Sequence, residues 1–148
     1  MNKKLTESVS IVIYDKEHEK VLATRRPLDD TEQPGMWGFP AVSRQNPNES
    51  WEDLAIKAGK TKLGVDVKIL RLIGEDTMDR GTYTLNLRDY ECEIIAGKPA
   101  VPQPDDGHTQ YIEMRYTDDF GPFVETARAG SLCTKIFLED KGISISNA

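Results

Sequence analysis

Residues 37–67 read WGFPAVSRQNPNESWEDLAIKAGKTKLGVDV, and the organisation of the chain can be worked outward from them. The pattern predicts a strand end at Trp37, a loop, a helix, a glycine stop and a new strand. Ser50 followed three residues later by Asp53 makes a capping box, in which hydroxyl and carboxylate satisfy first-turn amides. Trp51, Leu54, Ala55 and Ala58 fall at i, i+3, i+4 and i+7, one apolar helical face. Leu63-Gly64 ends the helix, because glycine takes the left-handed conformation without a Cβ penalty. Val65 and Val67 then restart an alternating strand.

On the N-terminal side, Val9, Ile11 and Ile13 alternate and predict a strand over Ser8 to Tyr14. Asp15 to Glu19 is a charged turn and Val21 to Arg25 a second strand, so the two are expected to form a hairpin. Pro27 to Met36 is polar, with Pro34-Gly35 as a strong turn signal. On the C-terminal side a strand runs from Val65 to about Ile73, and Asp79-Arg80-Gly81 is a hairpin turn. In the strand Thr82 to Ile95, Tyr83, Leu85 and Leu87 share one parity and Tyr90, Cys92 and Ile94 the other; a bulge near Arg88-Asp89 would reconcile them. Gly97 to Gly107 is too rich in proline for regular structure, and His108 to Tyr116 is a last strand. Phe120, Phe123, Val124 and Ala127 take helical spacing, continued by Leu132, Cys133, Ile136 and Phe137 after a break at Gly130-Ser131. The tail after Lys141 is expected to fray.

At 148 residues the chain is expected to be one domain, 1–148. A net charge of -6 disfavours a general nucleic-acid or membrane-surface binder, since both need a positive surface. Cys92 and Cys133 are far apart with no CxxC or Cys/His spacing, so buried reduced thiols are expected and no zinc site or disulfide framework. No segment has the length to span a bilayer. The cytoplasm is the expected location.

The opening stretch resembles the Nudix box. That family's pattern is a glycine, a glutamate, then Arg-Glu-apolar-x-Glu-Glu-x-Gly-apolar, usually led in by Trp-x-x-Pro-Gly-Gly. Trp37, Phe39 and Pro40 match the lead-in, Glu49-Ser50 the Glu-Ser step and Gly64-Val65 the close. With Gly64 as anchor, Lys57 takes the arginine position and Ala58, Thr61 and Lys62 the three glutamate positions. Ala41-Val42 stand where paired glycines belong, and the loop to Glu49 is one residue longer. The order β-β-helix-β-β-β-helix is similar to that family over nearly the whole chain. The resemblance implies an α/β fold, a Nudix α/β/α sandwich with a mixed β-sheet flanked by the box helix and a C-terminal helix.

In the family the glutamates hold magnesium against a diphosphate. Magnesium is a hard cation that takes oxygen ligands. Ala, Thr and Lys in place of three carboxylates change the local formal charge from about −3 to about +1. No standard metal site is therefore expected, no cofactor is otherwise indicated, and magnesium would need non-standard ligands. Val21 to Arg26 resembles the family strand that ends in arginine beside the substrate, so Arg25, Arg26, Lys57 and Lys62 are candidate phosphate ligands. Successive strand residues face opposite ways, so at most one of Arg25 and Arg26 should face a ligand. Lys60 continues the charge run on a solvated face. Trp37 either stacks on a base or pins its loop.

Glu49 either acts in chemistry or stabilises the helix start. Asp105 and Asp106 lie where some family members carry a catalytic carboxylate outside the box; adjacent aspartates beside Pro and Gly are also ordinary turn chemistry. Two functions follow. One is a hydrolase of a nucleoside diphosphate linked to another moiety, with acids drawn from Glu49, Glu52, Asp53, Asp105 and Asp106. The other is a Nudix-fold module that binds a nucleotide-like metabolite or a protein without hydrolysis. Isomerisation on the same fold is a third option that no residue requires. The partner implied is a small nucleotide-like ligand, and the family is often dimeric, so a homodimer is an option.

Overall fold

In the computed structural model, residues 4–104 and 110–145 are described. Strand β1 (Lys4–Ile13) is the spine of a four-stranded sheet, pairing antiparallel with β4 (Ala41–Ser43) and parallel with β6 (Tyr83–Ala96). β5 (Asp66–Asp79) adds antiparallel to β6, giving the order β4-β1-β6-β5. A second sheet has the order β3-β2-β7, from Trp37–Gly38, Val21–Arg25 and Glu113–Thr117. The expected β1–β2 hairpin does not form: only the bridge Tyr14↔Val21 joins them. Both edges of β1 are already taken by β4 and β6, so β2 pairs with β3 and β7.

Helix α1 (Trp51–Ala58) covers one face of the mixed sheet, where Leu54, Ala55 and Ala58 pack with Val9, Ile11, Ile13, Tyr90 and Cys92. Helices α2 (Gly121–Arg128) and α3 (Leu132–Asp140) cover the other, where Phe123, Ile136 and Phe137 pack with Val12, Phe39, Leu85 and Leu87. The chain is thus an α/β/α sandwich with two cores, one per sheet face. Ile143 and Ile145 turn back onto the second core.

The two faces also explain the change of phase in β6. The β1–β6 register runs without a shift from Lys4↔Tyr83 to Ile13↔Cys92, so β6 itself holds no extra residue at Arg88-Asp89. The irregularity there is on β5, where Leu72 and Gly74 pair with Tyr90 and Asp89. Leu85 and Leu87 point to the α2/α3 core and Tyr90 and Cys92 to the α1 core; burial changes face while the backbone stays regular. The shifts sit in the β5–β6 pairing, at Asp66/Val67, Ile69/Arg71 and Leu72/Gly74. Among the described residues, no helix is long and apolar enough to cross a membrane.

Candidate functional site

The start of α1 is built as its local sequence dictates. Ser50 Oγ accepts from the Asp53 amide at 3.0 Å, and Asp53 Oδ2 accepts from the Ser50 amide at 3.1 Å. Glu49 gathers this end: Oε1 accepts from the amides of Gln45 (3.0 Å) and Asn46 (2.9 Å), and Oε2 pairs with Lys57 Nζ at 3.2 Å. The Asn46 and Gln45 amides, then Lys57, hold the Glu49 carboxyl below its ordinary range. Glu52 is exposed.

The other end of the helix is irregular. Gly59–Leu63 form a π turn that stops at Gly64, whose φ of 73° is left-handed. Thr61 Oγ1 donates to the Lys57 carbonyl at 2.8 Å, a side-chain bond to the i−4 carbonyl that competes with the α ladder. Gly59 permits close approach: a Cβ there would lie 3.0 Å from Val67 Cγ1 and 3.2 Å from the Val65 carbonyl. In an α-helix residues five apart lie about 140° apart around the axis. The i→i+5 bonding of a π turn instead draws them toward one side. Lys57, Thr61 and Lys62 accordingly all line one cavity, while Leu63 is fully buried in the α1 core.

That cavity has a volume of about 260 Å³. Ser8, Ala41, Val42, Leu85 and Leu87 form the sheet side, and Arg26, Gln33, Arg80, Tyr111 and Cys133 stand among its remaining walls. Four cations therefore line it: Arg26, Lys57, Lys62 and Arg80. Glu32 is the one carboxylate lining it among the described residues. Arg26 is held by Asp30 at 3.1 Å and Lys57 by Glu49. Burial acts to raise the Asp30 carboxyl, but the Gln33 amide and Arg26 outweigh it and the net displacement is downward. Lys62 is only 3 % exposed. Arg80 has a buried Nε without a hydrogen-bond partner.

The other sequence candidates lie elsewhere. Arg25 does not line the cavity; its Nε donates to the Gly35 carbonyl at 2.9 Å and its Nη1 pairs with Glu113 at 2.6 Å. The Trp37 ring lies under Arg115, whose guanidinium carbon is 4.4 Å from the ring centroid, and its carbonyl accepts from Thr126 Oγ1 at 2.7 Å. Lys60 pairs with Asp66 at 2.7 Å. Asp105 and Asp106 lie outside the described residues. Arg80 and Gln33 were not singled out from the sequence. Asp79-Arg80-Gly81 reads locally as a turn, and only the length and pairing of β5 and β6 carry that turn to the cleft.

Tyr111 braces the wall. Its hydroxyl donates to the Phe39 carbonyl at 3.2 Å and accepts from the Ala41 amide at 3.1 Å, and burial pushes it up to about 12. Cys133 Sγ lies 3.4 Å from Ser131 Oγ, and burial pushes its thiol up, so it stays protonated at neutral pH. Among the described residues no group of three His, Cys, Asp or Glu side chains converges as a metal site.

No family model matches the chain. Solved structures match it closely in shape. The MutT protein of Methanosarcina mazei superposes with a TM-score of 0.67 at 14% identity, covering 96% of both chains. A Nudix hydrolase from Nitrosomonas europaea gives 0.66 at 16% identity, covering 95% of this chain and 89% of that one. A UDP-X diphosphatase gives 0.65 at 12% identity, over 96% of this chain and 65% of that one. In sequence, the isopentenyl-diphosphate Delta-isomerase of Kocuria rhizophila is 26% identical over 110 residues, 73% of this chain. The match spans 61% of the length of that relative. The chain is a Nudix-fold protein.

Proposed function

We propose that the cleft binds the diphosphate of a nucleotide-like diphosphate ester directly through side-chain cations, with no magnesium on the box helix. The observation that supports it most is the gathering of Arg26, Lys57, Lys62 and Arg80 around one cavity in a chain of net charge -6. Set against Asp30, Glu49 and Glu32, the four cations leave a small positive excess, which draws an anion into the cleft. Guanidinium and ammonium groups bond phosphate oxygens strongly, and arginine does so in a forked geometry. Two proteins similar to this chain, one in fold and one in sequence, are a UDP-X diphosphatase and an isopentenyl-diphosphate isomerase, whose names share the diphosphate.

The donor chemistry of the three box positions Ala58, Thr61 and Lys62 does not fit magnesium. Lys62 brings an ammonium, Ala58 brings no donor, and Thr61 brings one uncharged hydroxyl oxygen in place of a carboxylate. Glu49 is engaged by two amides and Lys57, which supports a structural role at the helix start. This favours a binding module over a box-dependent hydrolase.

The test is a thermal-shift titration with ADP-ribose, ADP and UDP in EDTA at low and moderate salt. A ligand at a hundred times its dissociation constant should stabilise the fold by about 2.7 kcal/mol. The shift should fall as salt rises, because ions screen a partly open cleft. Lys62→Glu should abolish it. A flat response across the panel, or a shift that needs added magnesium, would overturn the reading.

A further inference from the structure

We infer that Gln33 determines specificity in the cleft, and that the group esterified to the diphosphate presents a hydrogen-bond donor and acceptor side by side, as a nucleobase edge does. This rests on the diphosphate reading above and narrows it. Gln33 lies in the connection between β2 and β3, is 3% exposed and lines the cavity. Its backbone is fully engaged. The amide donates to Asp30 Oδ2 at 2.9 Å, and the carbonyl accepts from the Met36 amide at 3.2 Å. The side-chain carboxamide, in contrast, makes no hydrogen bond to any described residue.

A carboxamide carries an acceptor oxygen and two donor hydrogens, and one that meets no protein partner at a cavity wall is open to bond an occupant. Placed against a cavity, it is matched when the occupant brings a donor and an acceptor in one plane. A base edge does this with two parallel bonds, the geometry in which glutamine reads adenine. A hydrocarbon chain would seal the carboxamide from water and supply no partner, so it is rejected. The scaffold fixes where this reader stands relative to the phosphate end. One oxygen, Asp30 Oδ2, takes Arg26 Nη1 at 3.1 Å, the Glu32 amide at 3.1 Å and the Gln33 amide at 2.9 Å. Asp30 is therefore a positioning residue: the same carboxylate orients a phosphate-binding guanidinium and the backbone that carries Gln33. Leu85 and Leu87 supply an apolar surface in the same cavity for a flat ring.

The experiment is calorimetric titration of the full chain in EDTA with ADP, UDP, isopentenyl diphosphate and inorganic diphosphate, with thermal melts to confirm folding. Wild type should bind ADP or UDP about tenfold or more tightly than isopentenyl diphosphate. Gln33→Met, of similar length and apolar, should cut that preference by about tenfold while inorganic diphosphate binds as before. Gln33→Glu keeps the shape and removes the donors; it too should lose the preference, read as the ratio of affinities. Wild-type preference for isopentenyl diphosphate would overturn the inference alone, as would an unchanged ratio in both variants with inorganic diphosphate still bound. Failure of wild type to bind any of the four would overturn the cleft reading, and this inference with it.

Discussion

The two ends of the box helix differ in kind. At the N-terminal end the capping groups find partners within a few residues: Ser50 with Asp53, and Glu49 with the amides of Gln45 and Asn46. At the C-terminal end the helix widens into the π turn Gly59–Leu63, which sends Leu63 to the buried core, Thr61 and Lys62 to the cleft and Lys60 to the surface. Leu63 is drawn fully into the core beside Val65 and Val67, while Lys62 and Thr61 line the cavity. The first end is local architecture; the second is a surface shaped by what packs on either side. Glu49 is satisfied by its own neighbours at the helix start, whereas Lys62, Arg80 and Gln33 line a cavity shared with distant elements.

The comparison can be broken most severely at Leu63. Leu63→Ala empties a fully buried site next to the π turn and should cost about 2–5 kcal/mol in urea unfolding. A loss under about 1 kcal/mol, within the range of a surface change, would show that the core does not anchor this end. Next in size is the opposite terminus. Ser50→Ala removes one half of the capping box and should cost about 1 kcal/mol, with ligand binding in the cleft unchanged. Weaker binding in that variant would mean that the two ends are coupled.

The smallest effect concerns pH. The Glu49 carboxyl is held below its ordinary range by the Asn46 and Gln45 amides and Lys57. A depressed folded value means the unfolded chain binds the proton more readily. The stability from Glu49 is therefore present above the unfolded value near about 4.3 and is lost as pH falls through the folded one. Glu49→Gln should flatten the acid side of the melting-temperature profile below about pH 5 and leave the alkaline side alone. An unchanged acid limb would show that Glu49 gains nothing from its amide partners.

Legibility followed the range of the interactions. The capping box, the apolar face of α1, the left-handed stop at Gly64 and the break between α2 and α3 depend on neighbours within a few residues, and each could be read directly. The β1–β2 hairpin could not, because adjacency in sequence says nothing about whether β1 has a free edge. The phase change in β6 pointed to a bulge because alternation records burial, and burial depends on which helix covers which face. Arg25 and Arg26 were indistinguishable by residue type; one pairs with Glu113 and the other lines the cleft.

By itself, the sequence determined the order of elements, the local caps and stops, and the resemblance to the Nudix pattern. These are properties of residue type and short spacing. Only the tertiary structure decided that Arg80, from a hairpin turn, and Gln33, from a connection, share a cavity with Lys57 and Lys62. Those residues are brought together by sheet pairing and a π turn, and no local rule of side chain or period specifies such distant contacts.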